Sequence, residues 1–436
     1  MRKLFSYSVA ALAVSTAAVA VRADTPIADF ILRQVYNASV RYSTTVEFPQ
    51  RIGARGDVAR GRRVFGFNDA ETAIDNSGGL FEGQSQVGGT ITSNGKVCAT
   101  CHRSEAFQYG MPPLPLSATI PLNDPVFNTA PEDGADPNAF FNADTLGLFA
   151  YRPNRFNPLR PADDPFRQVF FWRKTQRLLN VVFTFGLLND GRFREMVEQA
   201  RGAVFTHTQN GDDRFDDLVA VQRLLDIGAF QESHIDPPEL SALLDPADPN
   251  YATLVNDPFH TVNLTTNQQR LGETVFAYNC MSCHNMPNVF SNVDHWNGPP
   301  LNFPPLYGHT FDIGISQRNR FNLDVRKFDT ATGTRVPIVL PLVTQDGRTV
   351  QYTVADDVGA AGSTGRFEDL HKFKVPQLRR VSQMAPYFHD GSATTLEEAV
   401  DYFNTAWYND SAEGQLHPIH LSQPERNAVL AFLRAL

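Results

Sequence analysis

Apolar residues recur at helical spacing in three stretches of the chain. In "TTNQQRLGETVFAYN" (265–279) they fall on one face behind a threonine cap. In "LSQPERNAVLAFLRAL" (421–436), Ser422 is a good cap, Glu425 follows three positions later, and a proline lies in the first turn. The third stretch, "GDVARGRRVFGF" (56–67), has the same character over a shorter length. These patterns predict three amphipathic helices.

Apolar and polar residues alternate in "RVPIVLPLVT" (335–344) and "RTVQYTV" (348–354), on either side of "QDG". This predicts a β-hairpin within residues 328–365. Residues 68–96 are rich in Gly, Ser and Asn and are predicted to form a loop or a hairpin, whereas residues 111–166, rich in Pro, Asn and Asp, are predicted to be ordered loops. The predicted architecture is therefore mostly α, with long loops and a minor β-hairpin.

The N-terminus reads as an export signal. Arg2 and Lys3 precede an apolar, alanine-rich run over residues 4–21, and a small residue precedes Asp24. A transmembrane anchor is the alternative, but the run is Ala-rich rather than Leu-rich and a cleavage-like site follows it. We therefore expect residues 1–23 to be a cleaved signal peptide, the mature protein to be periplasmic, and no stable membrane insertion.

The 436 residues suffice for two domains with full cores. Prolines and acidic residues cluster between about residues 235 and 262, which predicts one domain over 24–250 and a second over 251–436. The formal net charge is −9, which argues against a nucleic-acid partner and suits docking to a basic protein.

All four cysteines of the chain fall in two copies of one pattern, "VCATCHRS" (97–104) and "NCMSCHNM" (279–286). A disulfide framework or a four-thiolate zinc site would leave the histidine after each second cysteine unexplained. The CxxCH pattern is the attachment signature of c-type haem, in which two thiols bond the porphyrin and the histidine binds the iron. We therefore predict two covalent haems, with His102 and His284 as the proximal iron ligands, and the thiols of Cys98, Cys101, Cys280 and Cys283 as the attachment points.

Three further stretches resemble the bacterial di-haem cytochrome c peroxidase family, which includes the di-haem maturation enzyme of methylamine dehydrogenase. They are "RLLNVVFTFGLLNDGRFREMVEQA" (177–200), "GSTGRFEDLHKFKVPQLRRV" (362–381) and "APYFHDGSATTLEEAVDYFN" (385–404). The resemblance implies two cytochrome c-like domains with one haem each. It also implies reduction of hydrogen peroxide by electrons from a small donor protein, such as a cytochrome c or a cupredoxin.

The resemblance also assigns individual residues. Gln199 matches a glutamine that lines the peroxide pocket of the N-terminal haem, while Arg366 and His389 match positions near the C-terminal haem and the interface. The family's catalytic glutamate should fall near residue 209, which is a glutamine here, with His207 close by. An amide cannot accept a proton from peroxide and return it, whereas an imidazole can, so His207 is the candidate acid–base group or distal ligand.

The family's second axial ligand of the C-terminal haem is a methionine or a tyrosine, and the aligned residue here is Phe403. Met384 is a candidate replacement for the metal ligand. Tyr402, Tyr408 and His389 also lie nearby in sequence. Methionine raises the potential of a haem, whereas tyrosinate lowers it, so the identity of this ligand affects the chemistry.

Two other departures concern the interface between the domains. The family has an aromatic residue between the haems, and Asn189 stands in its place; Trp172, Trp296 and Trp407 are candidates elsewhere, although core packing is the simpler interpretation of each. Lys174 appears where an asparagine of the family helps to hold calcium. An ammonium group replaces the charge of that ion but not its coordination, so we predict no calcium site of the family type.

Three functions follow from these patterns. The favoured one is a periplasmic di-haem peroxidase. The first alternative is a di-haem enzyme that oxidises an organic or protein substrate, and the second is a non-enzymatic electron-transfer cytochrome.

Overall fold

The structure is a computed structural model that describes residues 52–67, 96–127, 136–151, 165–207 (except 185 and 194), 218–291 (except 285–286) and 310–436 (except 330), with short strands at 85–86 and 89–90. The described residues contain fourteen α-helices. They are α1 (Val58–Phe65), α2 (Cys98–Cys101), α3 (Ala139–Leu146), α4 (Pro165–Gln168), α5 (Met196–His207), α6 (Leu218–Glu232), α7 (Tyr251–Asn256), α8 (Asn267–Asn279), α9 (Ile315–Arg318), α10 (Ala361–Thr364), α11 (Leu396–Tyr402), α12 (Ala406–Asn409), α13 (Ala412–Leu416) and α14 (Gln423–Leu433).

The strands described form five two-stranded antiparallel sheets, β1–β2, β3–β4, β5–β10, β6–β7 and β8–β9. They are β1 (Ser85–Gln86), β2 (Gly89–Thr90), β3 (Leu148–Tyr151), β4 (Phe171–Lys174), β5 (Thr310–Phe311), β6 (Lys327–Asp329), β7 (Thr334–Val336), β8 (Val339–Val343), β9 (Thr349–Thr353) and β10 (Phe373–Lys374). Short 3₁₀ helices lie at Gly53–Arg55, Glu105–Phe107, Leu116–Ala118, Pro125–Phe127, Val181–Phe183, Pro238–Leu244, Phe367–Asp369 and Val381–Gln383. The predicted mostly α character is confirmed for these residues.

A crossing of two helices forms the core of the N-terminal half, by which we mean the described residues up to 250. α1 crosses α6 at Gly61, where a methyl group would overlap the main-chain oxygen of Asp226. The absence of a side chain lets the backbones approach, and the fully buried rings of Phe65 and Phe230 then pack with centroids 5.1 Å apart. The glycine and the phenylalanine are four residues apart, so they share one face of α1.

The C-terminal half, residues 251–436, repeats this crossing with different helices. α8 crosses α14 at Gly272, where a methyl group would overlap the main-chain oxygen of Ala428. Phe276, again four residues further on, packs against Phe432 with centroids 5.0 Å apart. Each half therefore has its own aromatic core, built on the same spacing of glycine and phenylalanine.

The helix boundaries predicted from capping residues agree with the structure. α8 begins after Thr266, whose hydroxyl accepts from the backbone of Gln269 in a capping box. α14 begins after Ser422, which forms a capping box with Glu425. α1 begins after Asp57, a cap that the sequence analysis did not predict, whose carboxylate accepts from the backbone of the third helical residue. The starts of α8 and α14 are set by local hydrogen bonds, which is why the sequence predicts them well.

The β-hairpin predicted within residues 328–365 is present as β8 and β9, in register from Val339 opposite Thr353 to Val343 opposite Thr349. The prediction that residues 111–166 are loops is wrong in part. They include the helix α3, which ends at Gly147 in the left-handed conformation, and the strand β3. β3 is ordered by pairing with β4, a partner that lies outside the predicted loop.

Two segments that lie 200 residues apart have the same backbone course. The 3₁₀ turns Val181–Phe183 and Val381–Gln383 are each followed by a glycine with positive φ, at 69° and 68°, in the turns that begin "NDG" and "HDG". An isolated bridge closes each turn, between residues 187 and 193 in one segment and 387 and 393 in the other. The two halves therefore share a second element besides their crossed helices.

Within the described residues, no helix combines the length and the apolar character needed to cross a membrane. Residues 1–50, which contain the predicted export signal, lie outside the described residues.

Candidate functional site

The two cysteine–histidine segments have the same local geometry. In each, the backbone N–H of the histidine donates to the carbonyl oxygen of the first cysteine, from His102 to Cys98 at 2.9 Å and from His284 to Cys280 at 2.8 Å. This single helical turn places both thiols of a pair and the following imidazole on one side of the backbone. The sequence pattern thus corresponds to one structural unit that occurs twice.

All four cysteines are described, and none forms a disulfide. Burial raises the pKa of Cys98 and of Cys280 to about 12, so both are thiols at neutral pH. No group of three or more His, Cys, Asp or Glu side chains is arranged to hold a metal ion among the described residues. The four thiols therefore do not converge as a four-thiolate zinc site would require.

The histidine of each segment is fixed by a backbone carbonyl. The Nδ1 atom of His102 lies 2.9 Å from the carbonyl oxygen of Tyr109, and Nδ1 of His284 lies 2.7 Å from that of Phe290. Tyr109 and Phe290 both have a φ of 54°, in the left-handed region. A carbonyl accepts only from a protonated nitrogen, so Nδ1 carries the hydrogen and Nε2 keeps its lone pair for a metal.

Both imidazoles are held in the neutral form that binds iron. Burial lowers the pKa of His102, and it lowers the pKa of His284 to about 4. Neither ring therefore has to lose a proton at neutral pH before it binds a metal. The tautomer and the neutral charge of the two imidazoles, and the thiols beside them, suit the attachment of a covalent haem.

A large cavity in the N-terminal half opens beside the first segment. Its empty volume is about 1380 Å³, a figure that includes solvent at its mouth. His102, Cys98 and Cys101 lie on its wall together with Gln199 and Gln231. The thiols and the imidazole of the first segment therefore line a common cavity with two amides.

Gln199 lies on α5 and lines this cavity. The sequence analysis matched this residue to a glutamine that lines the peroxide pocket of the N-terminal haem. Oε1 of Gln199 accepts a hydrogen bond of 3.2 Å from Nε2 of Gln231 on α6. Oε1 of Gln231 is buried and has no hydrogen-bond partner among the described residues. His207 is the last residue of α5, but its side chain and residue 209 lie outside the described residues.

In the C-terminal half, the tyrosines near the second segment have their hydroxyls engaged. Tyr402 donates to the carbonyl oxygen of Ile313 at 2.6 Å, and Tyr408 donates to that of His417 at 2.9 Å. Burial raises the pKa of both tyrosines. The two tyrosines are therefore neutral hydrogen-bond donors at physiological pH.

The other candidates for an axial ligand of the second haem are placed as follows. The ring of Phe403 packs against Tyr408 with centroids 4.9 Å apart. Met384 packs at the edge of the C-terminal core, and its carbonyl oxygen accepts from Nζ of Lys174 at 3.0 Å. Trp296, which was a candidate for electron transfer rather than for ligation, lies outside the described residues.

His389, predicted to lie near the interface, is buried and contacts both halves. Its carbonyl oxygen accepts from the backbone N–H of Lys174 at 2.8 Å, and its ring stacks on Phe373 at 3.8 Å. Burial lowers its pKa, so the imidazole is neutral even though Asp357 lies 3.8 Å away. Arg366 lies on the surface side of this region, with Nε 3.7 Å from Asp369.

Lys174 connects the halves through its side chain as well. Nζ donates to the carbonyl oxygens of Met384 and Pro386, the first at 3.0 Å. Burial, together with the nearby charge of Arg177, lowers the pKa of Lys174 to about 7. A partly buried amine is therefore bound by two main-chain oxygens at the position where this chain has a lysine in place of the calcium-binding asparagine of the resembled family.

A buried ionic cluster at the same interface was missed by the sequence analysis. Arg173 of β4 donates from Nε and Nη2 to both carboxylate oxygens of Asp357, at 2.6 and 2.7 Å, and lies 3.3 Å from Asp190. The three side chains are no more than 7% exposed. Asp357 is 184 residues away in the sequence, and no motif or periodicity links it to Arg173.

The two tryptophans that the structure describes occupy a core position and a surface position. Trp172 is buried in the small aromatic core around β3 and β4, and its Nε1 donates to the carbonyl oxygen of Asp324 at 3.3 Å. Trp407 is 50% exposed. For both residues the packing or surface interpretation is the simpler one.

Comparison with known proteins shows sequence similarity to bacterial cytochrome c peroxidases. The chain is 31% identical over 173 residues to the cytochrome-c peroxidase IdrP2 of Denitromonas iodatirespirans, which is 39% of this chain and 40% of the relative. It is 25% identical over 287 residues to the cytochrome-c peroxidase IdrP1 of a Pseudomonas species (strain SCT), 61% of this chain and 68% of the relative. The matched region thus spans less than half the length of the first relative. No protein-family profile matches the chain.

Among solved structures, the diheme peroxidase BthA of Burkholderia thailandensis aligns with 91% of this chain and 88% of its own, at 18% identity and a TM-score of 0.42.

Proposed function

We propose that this chain is a periplasmic di-haem c-type cytochrome that reduces hydrogen peroxide with electrons from a small redox protein. The observation that supports this proposal best is the duplicated unit of two thiols and a neutral imidazole. In each copy a backbone carbonyl holds Nδ1, which leaves Nε2 of His102 and of His284 as an iron ligand. The similarity to bacterial cytochrome c peroxidases supports the choice of reaction.

The roles of the residues follow from their positions. Cys98 and Cys101 hold the first haem and Cys280 and Cys283 the second, and the haem irons supply the sites that bind peroxide and exchange electrons. The surrounding protein excludes water, fixes the imidazoles and controls the protons.

Gln199 is placed to orient a small molecule within the cavity. Its amide is already anchored through Oε1 by Gln231, so its own N–H groups remain to donate to a peroxide oxygen. An amide does not transfer protons at neutral pH, so a separate group must do so. We propose His207, at the end of the same helix α5, for that role.

The test begins with the cofactors. The exported, purified protein should show a Soret band and a mass that contains two haem groups. The variant Cys98→Ala/Cys101→Ala should retain only one covalent haem. A mass without both haems would overturn the proposal.

The reaction is tested separately with a reduced small cytochrome c as the donor. Addition of hydrogen peroxide should cause the protein to oxidise the donor, and the Cys98→Ala/Cys101→Ala variant should lose this turnover while its second haem remains. Absence of donor oxidation by the wild-type holoprotein would reject the peroxidase reaction even if both haems are present.

Oxidation of an organic or protein substrate is the second candidate. It is favoured by Phe403, which fills its position by packing on Tyr408 and cannot bind iron. Peroxide consumption that requires a substrate protein, and that does not require a reduced donor, would support this function in place of the first.

A further inference from the structure

The wall of the large cavity beside the first cysteine–histidine segment carries positive charge. Among the described residues that line it, no side chain is a carboxylate, whereas four are cations: Lys96, Arg173, Lys174 and Arg177. Two amides on the same wall are bound to each other, with Nε2 of Gln176 donating to Oδ1 of Asn189 at 2.5 Å. A cavity lined by charge of one sign attracts a ligand of the opposite sign.

Two of the four cations have other roles. The guanidinium of Arg173 is paired with Asp357 and Asp190 in the buried ionic cluster, so its charge is already offset. Lys96 lies two residues before Cys98 in the sequence, and its charge acts on the thiol of Cys101. It therefore belongs to the end of the cavity that the thiols occupy.

The other two cations, Lys174 and Arg177, lie close together without a counter-ion. Nη2 of Arg177 donates to the carbonyl oxygen of Gln383, and Nζ of Lys174 donates to that of the next residue, Met384. Burial and then the charge of Arg177 lower the pKa of Lys174 to about 7, although Asp390 acts in the opposite direction. Neither cation forms an ion pair with a carboxylate within the described part of the chain. Like charges held together away from water are unfavourable unless an anion joins them.

Both cations retain N–H groups for such an anion. Two of the three donors of the Lys174 ammonium bind the carbonyl oxygens of Met384 and Pro386, which leaves one. Arg177 uses one of its five donors for Gln383 and keeps the rest of its planar fork. A guanidinium fork binds a carboxylate through two parallel hydrogen bonds, and an ammonium adds a third.

A haem supplies carboxylates of this kind. Its two propionate groups project from the edge of the porphyrin opposite the vinyl groups, and the vinyl groups bond the thiols. We propose that Lys174 and Arg177 bind the propionate carboxylates of the haem attached to Cys98 and Cys101. This assignment rests on the haems of the proposed function and not on its reaction with peroxide.

The C-terminal half does not repeat the pair of cations. At an offset of 200 residues the equivalent positions are Lys374 and Gln377. Gln377 is buried and neutral, and its Oε1 accepts from the backbone N–H of Arg379 at 2.7 Å. The backbone N–H of Lys374 donates to the carbonyl oxygen of Asn189 at 2.8 Å. Removal of the paired cations should therefore change the first haem and spare the second.

The experiment measures the reduction potential of each haem in the holoprotein by spectroelectrochemistry. Lys174→Gln and Arg177→Gln remove one positive charge each and keep an N–H donor for the main-chain oxygens. A nearby positive charge favours the ferrous state, so each variant should lower the potential of the first haem and leave that of the second unchanged. The variant Cys98→Ala/Cys101→Ala, which lacks the first haem, identifies which potential belongs to which site.

Lys174→Arg and Arg177→Lys keep the charge and should keep a potential near that of the wild type. Arg270→Gln is the matched control. Arg270 on α8 also donates to a main-chain carbonyl oxygen, that of Leu264 at 3.0 Å, and it does not line the cavity. This variant should leave both potentials unchanged. The resonance Raman bands of propionate bending should shift in Lys174→Gln and Arg177→Gln but not in the control.

An unchanged potential of the first haem in both glutamine variants would overturn the proposal, as would unshifted propionate bands or an equal change in Arg270→Gln. Titration of the wild type with acetate tests for a free anion. A saturable change of the Soret band that Arg177→Gln abolishes would show that the pair binds a free carboxylate and would reject the propionate assignment. A holoprotein that meets every expectation here but does not oxidise the donor with peroxide would keep the assignment and reject the proposed reaction.

Discussion

The ionic cluster at the interface allows a prediction with a defined magnitude. Replacing Arg173 by methionine keeps much of the apolar stem but removes two hydrogen bonds to Asp357 and the nearby charge that offsets Asp190. Asp357, 7% exposed, then lies in the interface without its cation, and Asp190, 0% exposed, keeps only the more distant guanidinium of Arg192, at 3.5 Å, as a salt-bridge partner among the described residues. Breaking a buried ion pair by removing one partner costs about 3–5 kcal/mol, so Arg173→Met should lower the free energy of unfolding by that amount.

The pH dependence of this loss follows from the carboxylates. Burial acts to raise the pKa of Asp357, but the charge and hydrogen bonds of Arg173 outweigh burial and lower it below its usual value. A carboxylate with a lowered pKa stabilises the folded state above its unfolded pKa, near 3.9, and this stabilisation is lost as the pH falls through the folded value. The variant lacks that stabilisation, so its deficit should be largest near neutral pH and should shrink on acidification.

Asp190 adds to the same trend. Burial raises its pKa even with Arg173 present. Without the arginine the pKa should rise further, so the folded variant binds a proton that the unfolded chain has released. The stability of the variant should therefore fall as the pH rises towards neutrality, whereas in the wild type the contribution of Asp357 to stability increases with pH. Both effects make the variant's deficit in stability larger at neutral pH than in acid.

Denaturant unfolding of the holoprotein at pH 7, pH 5 and pH 3, followed by circular dichroism and Soret absorption, provides the measurement. Arg326→Met is the matched control, because Arg326 pairs with Asp324 at 2.6 Å but its side chain is 48% exposed, and such surface pairs contribute little to stability. A cost for Arg173→Met no larger than that of the control, or a deficit that grows on acidification, would refute the reasoning.

Three further predictions concern other contacts. Gly272→Ala should destabilise the holoprotein by about 1–3 kcal/mol and reduce haem content, because the methyl group overlaps the carbonyl oxygen of Ala428; an unchanged melting temperature would contradict the close crossing. Lys174→Met should cost about 2–4 kcal/mol in denaturant unfolding, because it leaves two main-chain oxygens without a donor, and a neutral result would show that these oxygens find other partners. Gln199→Leu should weaken peroxide binding, measured by the concentration dependence of the Soret change, without altering the spectrum of the resting protein; an unchanged affinity would remove the orienting role proposed for this amide.

The sequence predicts those parts of the fold that short-range hydrogen bonds and periodicity determine. α8 and α14 each begin with a capping box, and β8 and β9 flank a turn, so each can be recognised within about 15 residues. The cysteine–histidine units were also predictable, because the chemistry of haem attachment fixes their spacing.

What the sequence did not predict depends on partners that are distant in the chain. α3 lies in a stretch of prolines, asparagines and aspartates, and the neighbouring strand β3 is ordered by pairing with β4. The pair Arg173 and Asp357 joins strand β4 to a loop that lies 184 residues further along the chain. Residue types do not predict the role of the carbonyls of Tyr109 and Phe290. A left-handed φ at each residue turns its carbonyl towards the imidazole.

The two halves agree in their backbone geometry at positions 200 residues apart and differ in the side chains at some of those positions. The scaffold positions agree at an offset of 200 residues, since Gly191 and Gly391 share a positive φ and Lys174 and Lys374 each donate a backbone N–H to the other half. The chemical positions differ: Asn189 with its amide link corresponds to His389, whose ring is stacked. A symmetric scaffold therefore holds His102 and His284 by equivalent backbone contacts. The asymmetry between the halves lies in side chains such as those at positions 189 and 389, which local backbone geometry does not determine.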